Sequence, residues 1–166
     1  MLEQFGVQEA DVVRIPDHVL KGTIIAILEK LGVPPGDASV GADVLVAADL
    51  RGIDGHGVSY MLSSYVSGFT RGHINPKPDW RITRESPATA TIDSDRGLGV
   101  IIAPKAMEIA IAKARETGIG AVAIRKGRHL GMAGYHAMLA LKHDMIGVCM
   151  TAPRPLVLPT FGREPR

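Results

Sequence analysis

Apolar residues in the first part of the chain recur every three or four positions, which is the spacing of one face of an α-helix. The pattern predicts three helices, at about residues 17–31, 36–52 and 58–69. Glycine and proline mark their ends, because neither residue continues a helix well. Leu50 is expected to lie on the buried stripe of the second helix.

The pattern changes after Pro78 to short β-type runs that alternate with helical segments. This order argues for a sheet with helices packed on it. The predicted elements of this half are strands at 80–83, 89–92, 121–124 and 146–150, the last of them buried, and helices at 98–116 and 132–142.

Composition narrows the class of protein. The 19 Lys and Arg residues nearly balance the 17 Asp and Glu residues, and they are spread along the chain, so nucleic-acid binding is not expected. The first residues lack the pattern of a signal peptide, and no apolar run reaches the roughly 20 residues that span a bilayer. A single cysteine, Cys149, allows no internal disulfide and is expected to be a buried, inert thiol. A soluble cytoplasmic protein is the expectation.

The first candidate site is the loop Arg51-Gly52-Ile53-Asp54-Gly55-His56-Gly57-Val58. Glycines on both sides of His56 let the backbone turn sharply and let a ligand approach the imidazole. Histidine titrates near neutral pH and can exchange a proton with a carbonyl oxygen, while Asp54 and Arg51 could tune its charge or bind a carboxylate. The alternative is a plain turn between helices, in which His56 caps a helix or faces solvent.

The second candidate site is the loop Lys126-Gly127-Arg128-His129-Leu130-Gly131. It leaves the end of a predicted strand, where sites in α/β proteins usually form, and the helix that follows offers free backbone N–H groups. The alternative is a connecting loop with basic surface residues. His136, further along, is expected to be a bystander.

Other motifs carry less chemistry. The Gly-x-Gly at Gly97 and Gly99 lacks the further glycine and the acidic residue of a dinucleotide fingerprint, so a helix-start turn is expected. The histidines and the lone cysteine lack metal-ligand spacing, and no metal site is predicted. Ser63, Ser64 and Cys149 have no neighbouring base, which disfavours hydrolase chemistry.

Several strings in the same order resemble the malate/L-lactate/sulfolactate dehydrogenase family. They are the loop at 47–58, Gly72-His73-Ile74-Asn75-Pro76, Gly118-Ile119-Gly120, His129 with Gly131, and Pro159-Thr160-Phe161-Gly162. The resemblance implies an α+β fold unlike the Rossmann dehydrogenases, an N-terminal helical segment followed by a mixed sheet with packed helices. It also implies an L-2-hydroxyacid or 2-oxoacid substrate, NAD or NADP as the cofactor, and a homodimer.

The resemblance also assigns roles to residues. His56 ranks first and His129 second as the group that exchanges a proton with the substrate. Tyr60 stands where many relatives have an arginine that binds the substrate carboxylate, so this role is expected either to pass to Arg51 or to be lost. The full set of expected contacts is Arg51, Asp54, Tyr60 and Arg128 for the substrate, and Gly131 and Thr151 for the cofactor.

Members of this family are about twice as long as this chain. The expected organisation is therefore a lead-in at 1–15, a helical region at 16–78 with the first histidine loop, and an incomplete α/β cofactor-binding region at 79–166. Catalysis would then need a complementary C-terminal part. One alternative is a non-catalytic remnant that keeps the fold and dimerises or binds a small acid, and another is reduction of a cyclic imine.

Overall fold

The structure is a computed structural model that describes residues 13–152. The predicted lead-in up to residue 12 and the string at 159–162 lie outside the described residues. The helices are α1 (Asp17–Lys30), α2 (Pro35–Asp49), α3 (Val58–Thr70), α4 (Gly99–Thr117) and α5 (Ala133–Met138), the strands are β1 (Arg81–Glu85), β2 (Thr89–Asp93) and β3 (Ala121–Arg125), and 3₁₀ turns lie at Asp54–His56 and Leu141–His143.

The three N-terminal helices and the start of α4 share one hydrophobic core. Burial of apolar surface is the main force that holds such helices together. Gly41 of α2 allows a close approach here, because a Cβ at this position would lie only 3.3 Å from a Leu28 methyl group and 3.4 Å from Ile101. The buried members of this core include Ile24, Leu28, Val44, Leu45, Met61, Tyr65, Phe69, Leu98, Val100 and Ile101.

The three strands form one mixed sheet in the order β1-β2-β3. The first pair is antiparallel and the second is parallel, with α4 as the crossover between β2 and β3. Ile92, Ile102 and Ala106 form a second core between this helix and the sheet. Because β2 and β3 run in the same direction, the segments that follow them lie at the same edge of the sheet, and the Ser94 N–H donates to the Arg125 carbonyl there. The α+β expectation is confirmed.

The predicted strand at 146–150 is wrong. This segment forms no ladder in the described part of the chain, and Ile146 and Met150 are 95% and 86% exposed. An apolar run favours burial, but no element within residues 13–152 covers this one. Cys149 within it is half-buried rather than buried, and that burial raises the pKa of its thiol.

Two helix predictions also need correction. Leu50 lies one residue beyond the end of α2 and is 68% exposed, so it does not belong to the buried stripe. The helix expected at 132–142 is broken into α5 and a separate 3₁₀ turn. Asp144, which ends that turn, has a left-handed backbone with φ of 56°.

Candidate active site

The first histidine loop is clamped by a side chain from the end of α2. Both carboxylate oxygens of Asp49 accept the Val58 N–H, at 3.2 and 3.1 Å, and thereby satisfy a free donor at the start of α3. Gly57 lies against the same carboxylate, and a Cβ there would overlap Asp49 Oδ1. Burial raises the pKa of Asp49, the Val58 hydrogen bond opposes this, and the charge of Asp54 adds to it. A side chain at Gly57 would therefore displace the carboxylate that caps α3.

The second histidine loop crosses the start of α4 at a glycine. The Arg128 N–H donates to the Gly97 carbonyl at 3.2 Å, and Gly97 itself closes a turn onto Ser94. A Cβ on Gly99 would overlap the Arg128 carbonyl and lie 2.7 Å from that of His129. The Gly-x-Gly is thus a helix-start turn, as predicted, and it also lets the loop lie directly on the helix.

A buried histidine supports the same loop from inside. His136 is 1% exposed, and its Nε2 lies 2.7 Å from the Leu130 carbonyl oxygen. Burial lowers the pKa of His136, and the hydrogen bond to Leu130 partly offsets this effect. His136 was expected to be a bystander, but it braces the His129 loop.

The two candidate histidines meet in space. Their rings are stacked, with centroids 5.5 Å apart and an angle of 18° between the planes. Nδ1 of His129 lies 2.9 Å from the Tyr65 hydroxyl and accepts the Gly131 N–H at 3.2 Å. Burial lowers the pKa of His129, and the charge of His56 lowers it further. The structure brings these two side chains together, while their catalytic roles stay predictions.

The two arginines predicted to bind substrate contact other parts of the protein. Arg51 donates to the Ala47 carbonyl at 3.3 Å and to the Met138 sulfur at 3.7 Å, towards α5. Arg128 Nε donates to the His73 carbonyl at 2.7 Å. Both guanidinium groups are therefore engaged as braces in this structure.

The remaining predicted contacts are divided between surface and core. Asp54 and Tyr60 are exposed beside the first loop, so they are free to meet a ligand. Gly131 is buried with φ of +73°, and a Cβ there would lie 2.8 Å from a Val100 methyl group, so packing alone requires glycine. Thr151 is exposed, next to the last described residue.

Sequence reasoning missed three residues that build the site. The helical spacing places Tyr65 only on the apolar stripe of α3. A buried tyrosine hydroxyl usually needs a hydrogen-bond partner, and this is the signal that could have identified it. Asp49 and His136 gave no comparable signal, because their partners depend on the folded chain. Across residues 13–152 no cluster of three or more potential metal-ligating side chains forms, and none of the helices described there could cross a membrane.

A family profile, curated relatives and solved structures all point to the same family. Residues 15–166 match the sequence profile of the malate/L-lactate dehydrogenase family. The chain is 48% identical to a malate dehydrogenase of Pyrococcus abyssi over 96% of its length, and 49% identical to an L-sulfolactate dehydrogenase of Methanocaldococcus jannaschii over 87%. The solved malate dehydrogenase of Pyrococcus horikoshii matches 95% of the chain with a TM-score of 0.90 and 46% identity.

The chain spans less than half the length of these relatives. It covers 44% of the Pyrococcus abyssi protein, 42% of the Methanocaldococcus jannaschii protein and 45% of the solved Pyrococcus horikoshii chain. Within that part both sequence and fold agree along nearly the whole described chain. The protein belongs to the malate/L-lactate dehydrogenase family.

Proposed function

We propose that this chain supplies the proton-handling part of an oxidoreductase that interconverts an L-2-hydroxyacid and a 2-oxoacid, with NAD or NADP carrying the hydride. The observation that carries this proposal is the stacked pair of His56 and His129. Reduction of a carbonyl needs a proton at the oxygen, and an imidazole within hydrogen-bond reach can provide it.

The surroundings of the pair suit a small acid. His56 ends the 3₁₀ turn that leads into α3, and His129 lies in the loop between β3 and α5. Ordered elements on either side of each loop help to hold the two rings in place. Each ring lies partly open to solvent, and Asp54 and Tyr60 are exposed beside the first loop. A 2-oxoacid could therefore approach the imidazoles from the open side, while the braced loops keep their geometry.

The two residues predicted to bind the cofactor lie in different surroundings. Gly131 is required by its packing against Val100, and Thr151 lies on an exposed, unpaired segment. A nucleotide site would accordingly depend on the further part of the fold that the relatives possess.

Exposed apolar surface supports the proposal that the chain needs the further part of the family fold. The outer edge of β3 has no neighbouring strand in the described sheet. Ile146, Val148 and Met150 are exposed on the segment after the second 3₁₀ turn. Such a surface is typical of an interface. We propose that the remaining part of the family fold covers it, on the same or another polypeptide, and that the active form is a homodimer.

The test is to add the C-terminal part that the relatives possess. The chain would be mixed with the C-terminal part of the Pyrococcus abyssi relative, and oxidation of L-malate, L-lactate and L-sulfolactate would be followed with NAD and with NADP. We expect turnover only in the mixture, and a loss of about 10²-fold or more in His56→Asn and His129→Asn. His18→Asn, at an exposed site on α1, is the matched control.

The other outcomes separate the alternatives. Turnover by the chain alone would contradict the need for a second part. Binding of a 2-oxoacid without turnover in any mixture would favour the non-catalytic alternative. Reduction of cyclic imines in preference to 2-oxoacids would identify the substrate as an imine. Sedimentation of the mixture would show whether the assembled protein is a dimer.

A further inference from the structure

The hydrogen bonds of His129 are asymmetric, and this asymmetry determines where its proton lies. Tyr65 of α3 is 2% exposed, and its hydroxyl reaches Nδ1 of His129 across 64 positions of sequence. Burial raises the pKa of Tyr65, so the hydroxyl keeps its proton and can donate.

The second group on the same nitrogen can only donate. The Gly131 N–H points at Nδ1 of His129 at 3.2 Å, and a backbone N–H has no lone pair. Nδ1 must therefore be an acceptor, and the Tyr65 hydroxyl donates to the same lone pair. The backbone at Gly131 has little freedom to move away, because it is buried with φ of +73° against Val100.

An acceptor at Nδ1 leaves the ring proton on Nε2. Protonation of the whole ring would put a hydrogen on Nδ1 directly against the Gly131 N–H, which is unfavourable. A positive charge on the stacked His56 ring would also oppose protonation of His129. The titratable groups placed against His129 are Tyr65 from α3 and His56 from the first loop, while the neighbouring Arg128 side chain is turned to the His73 carbonyl.

We infer that Tyr65 is a positioning residue that keeps His129 neutral with its proton on Nε2, so that His129 donates a hydrogen bond to the substrate oxygen and His56 exchanges the proton. The inference rests on the proposed function for the identity of the substrate. In reduction, hydride adds to the carbonyl carbon, the C=O π electrons move to oxygen, and the imidazolium of His56 gives that oxygen its proton. In oxidation His56 takes the proton back, and His129 keeps its own proton throughout.

The imidazole nitrogens can be observed directly. The full chain labelled with ¹⁵N-histidine would be studied by long-range ¹H–¹⁵N correlation between pH 5 and 8. We expect His129 to show an acceptor-type Nδ1 and a protonated Nε2 at neutral pH, and to remain neutral as the pH falls to the ordinary pKa of histidine. A protonated Nδ1, or a cationic His129 at neutral pH, would overturn the inference.

Tyr65→Phe tests the positioning role. The aromatic ring is kept for the core, so the variant isolates the loss of one hydroxyl. We expect its His129 spectrum to become a mixture of the two neutral tautomers while the rest of the spectrum keeps its dispersion. Tyr135→Phe, which removes a hydroxyl from the tyrosine beside His136, is the matched control and should leave the His129 signals unchanged. An unchanged tautomer in Tyr65→Phe would contradict the role of Tyr65.

Kinetic measurements on the assembled enzyme distinguish the roles of the two histidines. His56→Asn should lower kcat by about 10²–10⁴-fold and remove one limb of the pH profile, because the exchanging proton is lost. His129→Gln keeps an N–H donor and should lower kcat less, without removing a limb. The reverse order would overturn the assignment. Since the spectra need no turnover, an inactive assembly with the expected tautomer would count against the proposed function and leave the tautomer standing.

Discussion

The two histidine loops are built in different ways. The loop that carries His56 is held by Asp49 and Val58, which are nine positions apart in the chain. The loop that carries His129 is held by Gly99, by His136 from inside and by Tyr65, which is 64 positions away. The first is a local clamp, whereas the second forms only when distant elements are in place.

This difference indicates which substitutions should destabilise each loop. A local clamp depends on one close approach between a glycine and a carboxylate, and the partner side chain can move in response. The distributed support of the second loop includes backbone carbonyl groups, which cannot rotate away. Substitutions that disturb the second loop should therefore lower the free energy of unfolding more than substitutions that disturb the first.

Gly99→Ala should have the largest effect. The added methyl group would overlap the Arg128 carbonyl, and backbone must shift to admit it. We expect the free energy of unfolding to fall by about 3 kcal/mol, as for an overpacked core. Urea denaturation measures this value. Gly22→Ala in α1, where a Cβ meets open space, is the control and should stabilise by up to about 1 kcal/mol. Equal effects at the two sites would contradict the close crossing of loop and helix.

Gly57→Ala comes next. The methyl group would displace the Asp49 carboxylate and deprive the start of α3 of its cap, at a cost of about 2 kcal/mol. The same denaturation experiment applies, with Gly55→Ala as the control, since that position of the loop is open. In an Asp49→Ala background Gly57→Ala should cost little more, because the overlapping group is already gone. Full additivity of the two changes would refute the clamp.

The pH dependence of stability sharpens the comparison further. The folded state holds His136 with a lowered pKa, whereas the unfolded chain takes up a proton near pH 6.5. The unfolded state therefore binds more protons as the pH falls, and stability is lost below about pH 7, by no more than about 1.4 kcal/mol per pH unit for one proton. The lowered pKa of His129 acts in the same direction.

His136→Gln isolates this contribution. The amide keeps a donor for the Leu130 carbonyl but does not titrate, so the slope of stability against pH between 7 and 5 should become smaller. Unfolding curves at several pH values measure the slope. A slope unaltered by His136→Gln would mean that the buried ring is not the source.

Arg128→Lys should have the smallest effect. The lysine cannot reproduce the Nε hydrogen bond to the His73 carbonyl, but the site is exposed, so the loss should be about 0.5 kcal/mol. Arg125→Lys on the neighbouring strand end is the control. Differential scanning calorimetry can compare the pair. If Arg128 instead binds substrate, as the family resemblance implies, Arg128→Lys would raise KM in the assembled enzyme while stability barely changes.

Much of the fold could be predicted from local pattern. The three N-terminal helices, the two paired strands, α4 and β3 all lie near their predicted positions, because one-sided burial leaves a periodic trace. The prediction of a strand at 146–150 is wrong because it rests on an apolar run and not on a periodic pattern of burial. Its apolar residues are exposed in the described structure, and an apolar run alone does not say what will cover it.

The sequence by itself determined the helical and strand order and the two glycine-flanked histidines, since these depend on residue type and spacing. Only the tertiary structure decided that the two imidazoles stack, that Tyr65 reaches His129, and that Arg51 and Arg128 face other partners. The physical reason is that periodicity specifies which face of an element is buried. The neighbour across that face depends on how α3, α4 and the sheet pack together.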